Sequence, residues 1–343
     1  MNKVEIGVLS TGVYIPSHWM TSEEIAKVSD IPLEIIEKKM GIRKKPIPGM
    51  KDHTCQMGIY AAKEAIAKAR VNPEEIDLVI YIGEEHKEYP LWTAGIKLQQ
   101  EVGAVNAWAF DVAQRCGTTI MALKVAKSMM IADTSIQTVL LAGGYRNVDF
   151  IDYTNPRTRF MYNLSAGGGA ILLKKGYANN QLLESHIMTD GTFSEDVVVV
   201  AGGTKMPTSV FTIEAGHHQL DVLDPEGMKQ RLEEKSLVNF IKVVDMALQK
   251  SGYDREDINY LAILHMKKSA HDYMLKELGL IEDQTIYLQD YGHMGQFDQI
   301  LSLQLALEQG KIKNGDIVVL VSAGIGYAWG ASVIKWGNEK EDI

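Results

Sequence analysis

One of the two cysteines, Cys116, stands where a nucleophile would. Phe110-Asp111-Val112-Ala113-Gln114-Arg115-Cys116-Gly117-Thr118-Thr119 passes from an expected strand (Ala107 to Val112) into an expected helix (Thr118 to Met130). Cys116 falls at the helix start, where free N–H groups and the positive end of the dipole favour a thiolate. Thr119, Leu123 and Ala126 form an inward stripe behind it. Cys55, in a helical run beside Met57, reads as a small core residue. A thiolate that forms covalent intermediates needs a base or an electrostatic partner, and two histidines qualify by position. His265 follows the apolar run Leu261 to Leu264, at a strand's C-terminal end. His293 lies in the glycine-flanked Asp290-Tyr291-Gly292-His293-Met294-Gly295-Gln296, ahead of an expected helix from Gln299 to Glu308.

The elements that must position these residues occur twice. Ala61 to Ile82 and Val243 to Leu264 share one grammar without a gap, at an offset of 182: amphipathic helix, acidic turn, continuous apolar strand. Ala65 matches Ala247, Lys68 matches Lys250, Glu74 matches Glu256 and Ile76 matches Ile258. Strands of that kind are buried on both faces. Leu140-Leu141-Ala142-Gly143 echoes Val321-Ser322-Ala323-Gly324. The sequence thus predicts a duplicated α/β unit, roughly 1–175 and 176–343, with Asn179-Asn180 in the link. Cys116 and His293 occupy equivalent helix starts, and a site between the halves is expected. The irregular segment Gly202 to Gly227 is expected to cover a pocket.

Composition narrows the class. A chain of 343 residues with 46% apolar and 23% charged side chains has the make-up of a globular protein, of about two domains at ~150 residues each. Its net charge of −9 argues against nucleic acid as a partner. Two cysteines make no disulfide framework, and no Cys/His cluster has zinc spacing. No metal or prosthetic group is expected, and a reducing, cytoplasmic setting is. The first residues lack the apolar core of a signal peptide. Ile317 to Ile334 is uncharged but broken by glycine, so it predicts two buried strands and a turn, with no membrane span.

The motifs, taken in order, resemble those of β-ketoacyl-acyl-carrier-protein synthase III and its relatives in the thiolase superfamily, nearly end to end. Gly12-Val13-Tyr14-Ile15-Pro16 is similar to the opening G-x-Y-x-P. Gly41-Ile42-Arg43 resembles the T-G-I-x-x-R segment. Ala109-Phe110-Asp111 with Cys116 resembles A-F-D-x-x-x-x-C, Asp190-Gly191 the D-G pair, and Gly324 to Gly330 the closing G-x-G-x-x-W-G. The resemblance implies a thiolase-like fold, two α/β halves in α-β-α-β-α layers, and a homodimer. It implies Cys116 as the acyl-accepting nucleophile and His265 as its first partner. It also implies acyl and malonyl thioesters of coenzyme A or acyl carrier protein as substrates, with no cofactor beyond them.

Several positions depart from that pattern. The family Asn of G-N-T-S falls on His293, which resembles the Cys-His-His decarboxylating synthases. The adenine-stacking Trp falls near Ile35. Met266-Lys267-Lys268 replaces Q-A-N, and Lys267 and Lys268 are candidates for docking an acidic carrier. Tyr89 lies where a family aromatic reaches across the dimer into the acyl tunnel. Gly83-Glu84-Glu85-His86 resembles hydroxymethylglutaryl-CoA synthase, which uses a Glu general base there, so Glu84 and Glu85 are candidates for that role. Ala166 to Ala170 is similar to an archaeal stretch of the same enzyme. The expected mechanism is ping-pong. Cys116 takes an acyl group, backbone N–H groups of Cys116 and Ile325 hold the oxyanion, and His265 and His293 stabilise a malonyl-derived enolate. The alternatives are hydroxymethylglutaryl-CoA synthase-like condensation, acyl transfer to oxygen or nitrogen, and a non-catalytic partner subunit.

Overall fold

A computed structural model describes residues 4–337, so the outermost ends of both expected halves lie outside the described residues. The main sheet has nine strands: β1 (Ile6–Tyr14), β2 (Leu78–Tyr81), β3 (Trp108–Asp111), β4 (Thr138–Tyr145), β5 (Gly167–Lys175), β6 (Gln181–Thr189), β7 (Ile258–Ile263), β8 (Ile317–Gly324) and β9 (Ala328–Lys335). Their order is β7-β8-β9-β6-β1-β5-β4-β2-β3. It is two sheets joined edge to edge, because β1 and β6 meet only at Gly7 opposite Gln181.

The duplication is visible in the pairing. Outward from β1, the first half runs antiparallel to β5 and β4, then parallel to β2 and β3. Outward from β6, the second half runs antiparallel to β9 and β8, then parallel to β7. A parallel bridge from Leu261 to Thr285 stands where a fifth strand would be. The uncharged run from Ile317 is the β8–β9 hairpin, as its central glycines predict.

Six helices complete the layers: α1 (Thr54–Ala69), α2 (Ala94–Val102), α3 (Thr118–Ala132), α4 (Pro225–Ser251), α5 (Lys268–Leu278) and α6 (Asp298–Glu308). α1 covers β1, β5 and β4 from outside, and α4 covers β6, β9 and β8. Between the sheets lie α3 and α6, each touching strands of both halves, which gives the five layers. With both faces covered, strands such as β4 are buried along their whole length. α1 comes so near β4 that a Cβ on Gly58 would lie 2.5 Å from the Gly143 Cα. α4 opens on Asp224-Pro225, with the Asp224 carboxylate accepting from the Gly227 N–H, and closes at Gly252 with φ of 85°.

The segment 202–227 is less irregular than its sequence. It holds a short helix, Val210–Glu214, and a strand, Leu220–Val222, paired with Val197–Val199. Three-residue strands are too short to show a period, which is why the pattern misses them.

Candidate active site

Cys116 sits on a tight passage from β3 into α3. At the end of β3, the Asp111 carboxylate accepts from the Ala94 and Gly95 N–H groups at 3.0 and 2.7 Å and fixes the start of α2. The Thr118 hydroxyl then locks the turn, accepting from the Gln114 N–H at 2.8 Å and donating to the Arg115 carbonyl at 2.6 Å. Arg115 has φ of 51°, a conformation that side-chain-bearing residues seldom adopt. Its guanidinium anchors it to Glu84 at 3.2 Å and Glu85 at 2.5 Å. From the other half, Ser322 donates to the Cys116 carbonyl at 2.6 Å. Gly324 lies against the same turn, and a Cβ there would stand 2.7 Å from the Gln114 carbonyl oxygen.

His293 meets the sulphur. Its Nε2 is 3.1 Å from Cys116 Sγ, and its Nδ1 is 2.6 Å from Asp298 Oδ2. Its backbone N–H donates to the Asn163 carbonyl at 2.7 Å. Asp298 opens α6 and is fully buried. Its Oδ1 accepts from the Met294 N–H and its Oδ2 from the His265 N–H, both at 2.7 Å. Burial opposes charge on His293, but Asp298 and then Cys116 outweigh it, and the imidazole pKa is raised well above its ordinary value.

His265 is held otherwise. Its Nε2 lies 2.9 Å from the Gly41 carbonyl, which can only accept, so Nε2 carries the proton. Its Nδ1 accepts from Asn163 Nδ2 at 2.9 Å, and the same amide nitrogen reaches the His265 carbonyl at 3.4 Å. Burial lowers its pKa to about 4. The expectation that His265 is the first partner of Cys116 is therefore corrected. Both its ring nitrogens are engaged by protein groups, and the contact with sulphur belongs to His293.

Behind the pair lies Lys45, fully buried. Its Nζ donates to the Tyr153 hydroxyl at 2.8 Å and to the Tyr162 and Leu164 carbonyls at 2.6 Å. Burial lowers its pKa to about 7. It ties down the loop that carries Asn163 and pairs Leu164 with His293.

Cys116, His265, His293, Asn163, Glu84 and Ile325 all line one cavity of about 920 Å³. Ile35 lines it where the resemblance expects a Trp. Leu220 and Val222, from the segment expected to cover a pocket, form part of an apolar wall with Met228 and Phe240 of α4. Lys39, Arg159, Lys229 and Lys267 line it from exposed positions and so ring its mouth.

Other expected site residues separate here. Glu84 is buried, and its Oε1 has no hydrogen-bond partner among the described residues. Glu85 is exposed and paired with Arg115 outside the cavity, which corrects its candidacy as a base. Lys268 is turned to Asp272, Glu282 and the Tyr287 ring, so of the two docking candidates only Lys267 reaches the mouth. Tyr89 is 65% exposed, packs edge-on against Trp92, and takes no part in this chain's cavity. Asp190 caps a turn and binds Lys235. Cys55 is buried, and burial chiefly raises its thiol to about 12. Sequence reasoning missed Asp298, Asn163 and Lys45. Asp298 left one trace, a lone acid opening the apolar run Asp298-Gln299-Ile300-Leu301. Among the described residues no group of His, Cys, Asp and Glu could hold a metal ion.

Known proteins share this arrangement of chain. Residues 110–191 match the family model of 3-oxoacyl-[acyl-carrier-protein] synthase III, and residues 248–336 match the model of its C-terminal part. A β-ketoacyl-[acyl-carrier-protein] synthase III of Caldanaerobacter subterraneus subsp. tengcongensis is 28% identical over 98% of this chain and 99% of its own. That of Clostridioides difficile is 29% identical over 96% and 98%. The crystal structure of the Thermus thermophilus synthase III superposes with a TM-score of 0.84 at 23% identity, covering 96% of this chain and 99% of that one.

Proposed function

The chain belongs to the thiolase superfamily, as a condensing acyltransferase of the 3-oxoacyl-[acyl-carrier-protein] synthase III type, and from that premise we propose the roles of its residues. Cys116 attacks an acyl thioester, and the N–H groups of Cys116 and Ile325 hold the tetrahedral oxyanion. The C–S bond to the carrier breaks, the carrier leaves as a thiolate, and the acyl group stays on the Cys116 sulphur while His293 keeps its proton. A malonyl thioester follows. As its C–C bond breaks, carbon dioxide leaves and the electron pair becomes an enolate, which the protonated Nε2 of His293 stabilises. The enolate carbon attacks the acyl carbon, the C–S bond breaks, and a 3-oxoacyl thioester departs. The observation that carries this reading is the 3.1 Å contact between Cys116 Sγ and a His293 held by Asp298, at the wall of the cavity.

The cations at the mouth suit the phosphates of coenzyme A or of a carrier's phosphopantetheine arm. Edge strand β3, with exposed Trp108 stacked on Phe110, supports a homodimer formed at that edge. No helix among the described residues is long and apolar enough to cross a membrane. Both cysteines are free, which supports a reducing, cytoplasmic setting.

One observation favours a second reading. The unpartnered Oε1 of Glu84 could take the α-proton of an acetyl thioester and give condensation without decarboxylation. Intact-mass measurement with a panel of acyl-CoAs and acyl carrier proteins tests both. Wild type gains the acyl mass and Cys116→Ala does not. Adding malonyl thioester then releases carbon dioxide with the product. Product from an acetyl donor without carbon dioxide supports the second reading. No mass gain with any donor points to a non-catalytic subunit.

A further inference from the structure

Arg115, the residue before the nucleophile, has φ of 51°, a conformation that glycine takes freely and other residues seldom adopt. A long side chain kept at such a position points to a task that glycine could not perform. Its Nη1 donates to Glu84 Oε2 at 3.2 Å and its Nη2 to Glu85 Oε2 at 2.5 Å. The two carboxylates differ in footing. Glu84 is buried, and its backbone N–H donates to the Gly144 carbonyl of β4 at 3.0 Å, so it moves with the sheet. Glu85 is exposed. At its other end, Arg115 shares a peptide with Cys116. That peptide is planar, so its C=O and its N–H point opposite ways. The carbonyl accepts from the Thr118 N–H at 2.9 Å and from the Thr118 hydroxyl at 2.6 Å. Among the described residues no backbone carbonyl accepts from the Cys116 N–H. The direction of that N–H, the donor assigned above to the oxyanion, is therefore set by the backbone of Arg115, and the guanidinium ties this backbone to β4 through Glu84.

We propose that Arg115, clamped by Glu84, is a positioning residue for acyl transfer, which aims the Cys116 N–H at the tetrahedral oxyanion. Glu84 Oε2 holds the clamp, while Oε1 takes no part in it, so this role is separate from proton abstraction. A well-aimed donor stabilises the adduct more than the bound thioester. The clamp therefore acts on the rate of acylation and leaves the binding of the donor as it is. The inference rests on Cys116 as the acyl acceptor, as set out above, and names what orients it.

The test is single-turnover acylation by acetyl-, butyryl- and octanoyl-CoA, each over a range of concentrations and followed by intact mass. It separates the limiting rate from the half-saturating concentration. Arg115→Ala is expected to lower the limiting rate ~10–10²-fold, less than the loss of a whole oxyanion donor, at an unchanged half-saturating concentration. Arg115→Gly is expected to be as slow, because it takes φ of 51° without strain but has no guanidinium. Glu84→Ala is expected to match Arg115→Ala. Glu84→Gln, which keeps an oxygen for the guanidinium but is no base, is expected to recover part of the rate. Glu85→Ala is expected to stay within ~5-fold of wild type, as an exposed pair contributes little. A wild-type limiting rate in Arg115→Gly overturns the inference, since the backbone alone would then aim the donor. A raised half-saturating concentration at an unchanged limiting rate also overturns it, and makes Arg115 a binding cation of the cavity. In both cases wild type still gains the acyl mass, so Cys116 stands as the acceptor. No acyl mass on wild type with any donor overturns that reading and this inference with it. Where Arg115→Ala or Glu84→Ala fails to fold, the strain-free Arg115→Gly decides alone: slow acylation supports the clamp and a wild-type rate overturns it.

Discussion

His265 and His293, both of the C-terminal half, line the same cavity, and both are buried. The pKa of one is lowered to about 4 and that of the other is raised well above the ordinary value. A single oxygen accounts for much of the contrast. Asp298 Oδ2 accepts from the backbone N–H of His265 and from the ring of His293. The ring of His265 is left with a carbonyl and a carboxamide, neither of which compensates a positive charge as a carboxylate does. Burial alone drives an imidazole neutral, and only a buried anion in direct contact reverses that. The difference separates a histidine kept neutral by burial from one disposed to hold a second proton beside Cys116.

The largest expected effect tests that division of labour. His293→Ala is expected to lower kcat/KM for acylation of Cys116 by ~10²–10⁴-fold, the range for removal of a positioned acid–base group. His265→Ala is expected to lower it by no more than ~10-fold. Single-turnover acylation, followed by intact mass, checks the order. A larger loss for His265→Ala would break the comparison, because it would mean that the ring leaves Gly41 and Asn163 during turnover.

The next effect concerns what keeps His265 in place. Asn163→Ala removes the side-chain donor that His265 Nδ1 has among the described residues. A buried acceptor left without a partner costs ~1–3 kcal/mol, which urea denaturation at pH 7 would report as a lower midpoint with unchanged slope. An unchanged midpoint would show that the ring finds another donor and is less fixed than the structure shows.

Much of this site was legible in the sequence, because its main parts repeat. The grammar of helix, acidic turn and apolar strand placed Cys116 and His293 at matching positions, and the structure brings them into contact. The duplicated fold was legible for the same reason. Strands buried on both faces read as continuous apolar runs wherever they occur. What could not be read is pairing across the fold. Asn163 lies 102 residues from the ring it orients, and Lys45 reaches a loop more than a hundred residues away. Neither is marked by period or motif. Asp298 follows His293 by five residues, but an acid at a helix start has an ordinary reading as a favourable charge at the dipole. Only the three donors around its carboxylate show otherwise. Glu84 and Glu85 are adjacent and chemically alike, so the sequence offered both. Burial of one and exposure of the other separates them.

A smaller effect appears in the pH dependence of stability. His265 binds its proton at about 4 when folded against an ordinary 6.5, so between those values the unfolded chain holds more protons than the folded one. Stability then rises with pH across that window. The contribution is full above 6.5 and is lost as pH falls towards 4. His293 has the opposite sign. Its folded pKa is raised, so its contribution is full below 6.5 and is lost as pH rises through the higher value. Thermal melts across pH are therefore expected to show a flatter acid limb in His265→Asn than in wild type, and a flatter alkaline limb in His293→Asn. His271, also lowered to about 4 by burial, adds an acid slope common to all three proteins. Equal limbs in the two variants would remove the electrostatic basis of the contrast.

Lys45 extends the contrast beyond the histidines. It is another buried base in the same region, and its Nζ meets a hydroxyl and two carbonyls and, like the ring of His265, no carboxylate. Its pKa is lowered to about 7 from 10.5 by burial, with no anion in contact to oppose it. Lys45→Met removes the cost of burying an ammonium but leaves the Tyr162 and Leu164 carbonyls without this donor. These changes oppose each other, so the net change in stability at pH 7 is expected to stay within ~2 kcal/mol. The pH dependence differs more than the magnitude. Wild type is expected to gain stability between pH 7 and 10.5, where the unfolded chain still binds the lysine proton and the folded one does not, and Lys45→Met lacks that gain. Because Leu164 pairs with His293, a loosened loop would also show as slower acylation of Cys116 at unchanged stability. A Lys45→Met protein that acylates as fast as wild type would confine the positioning of His293 to Asp298 and the Asn163 carbonyl.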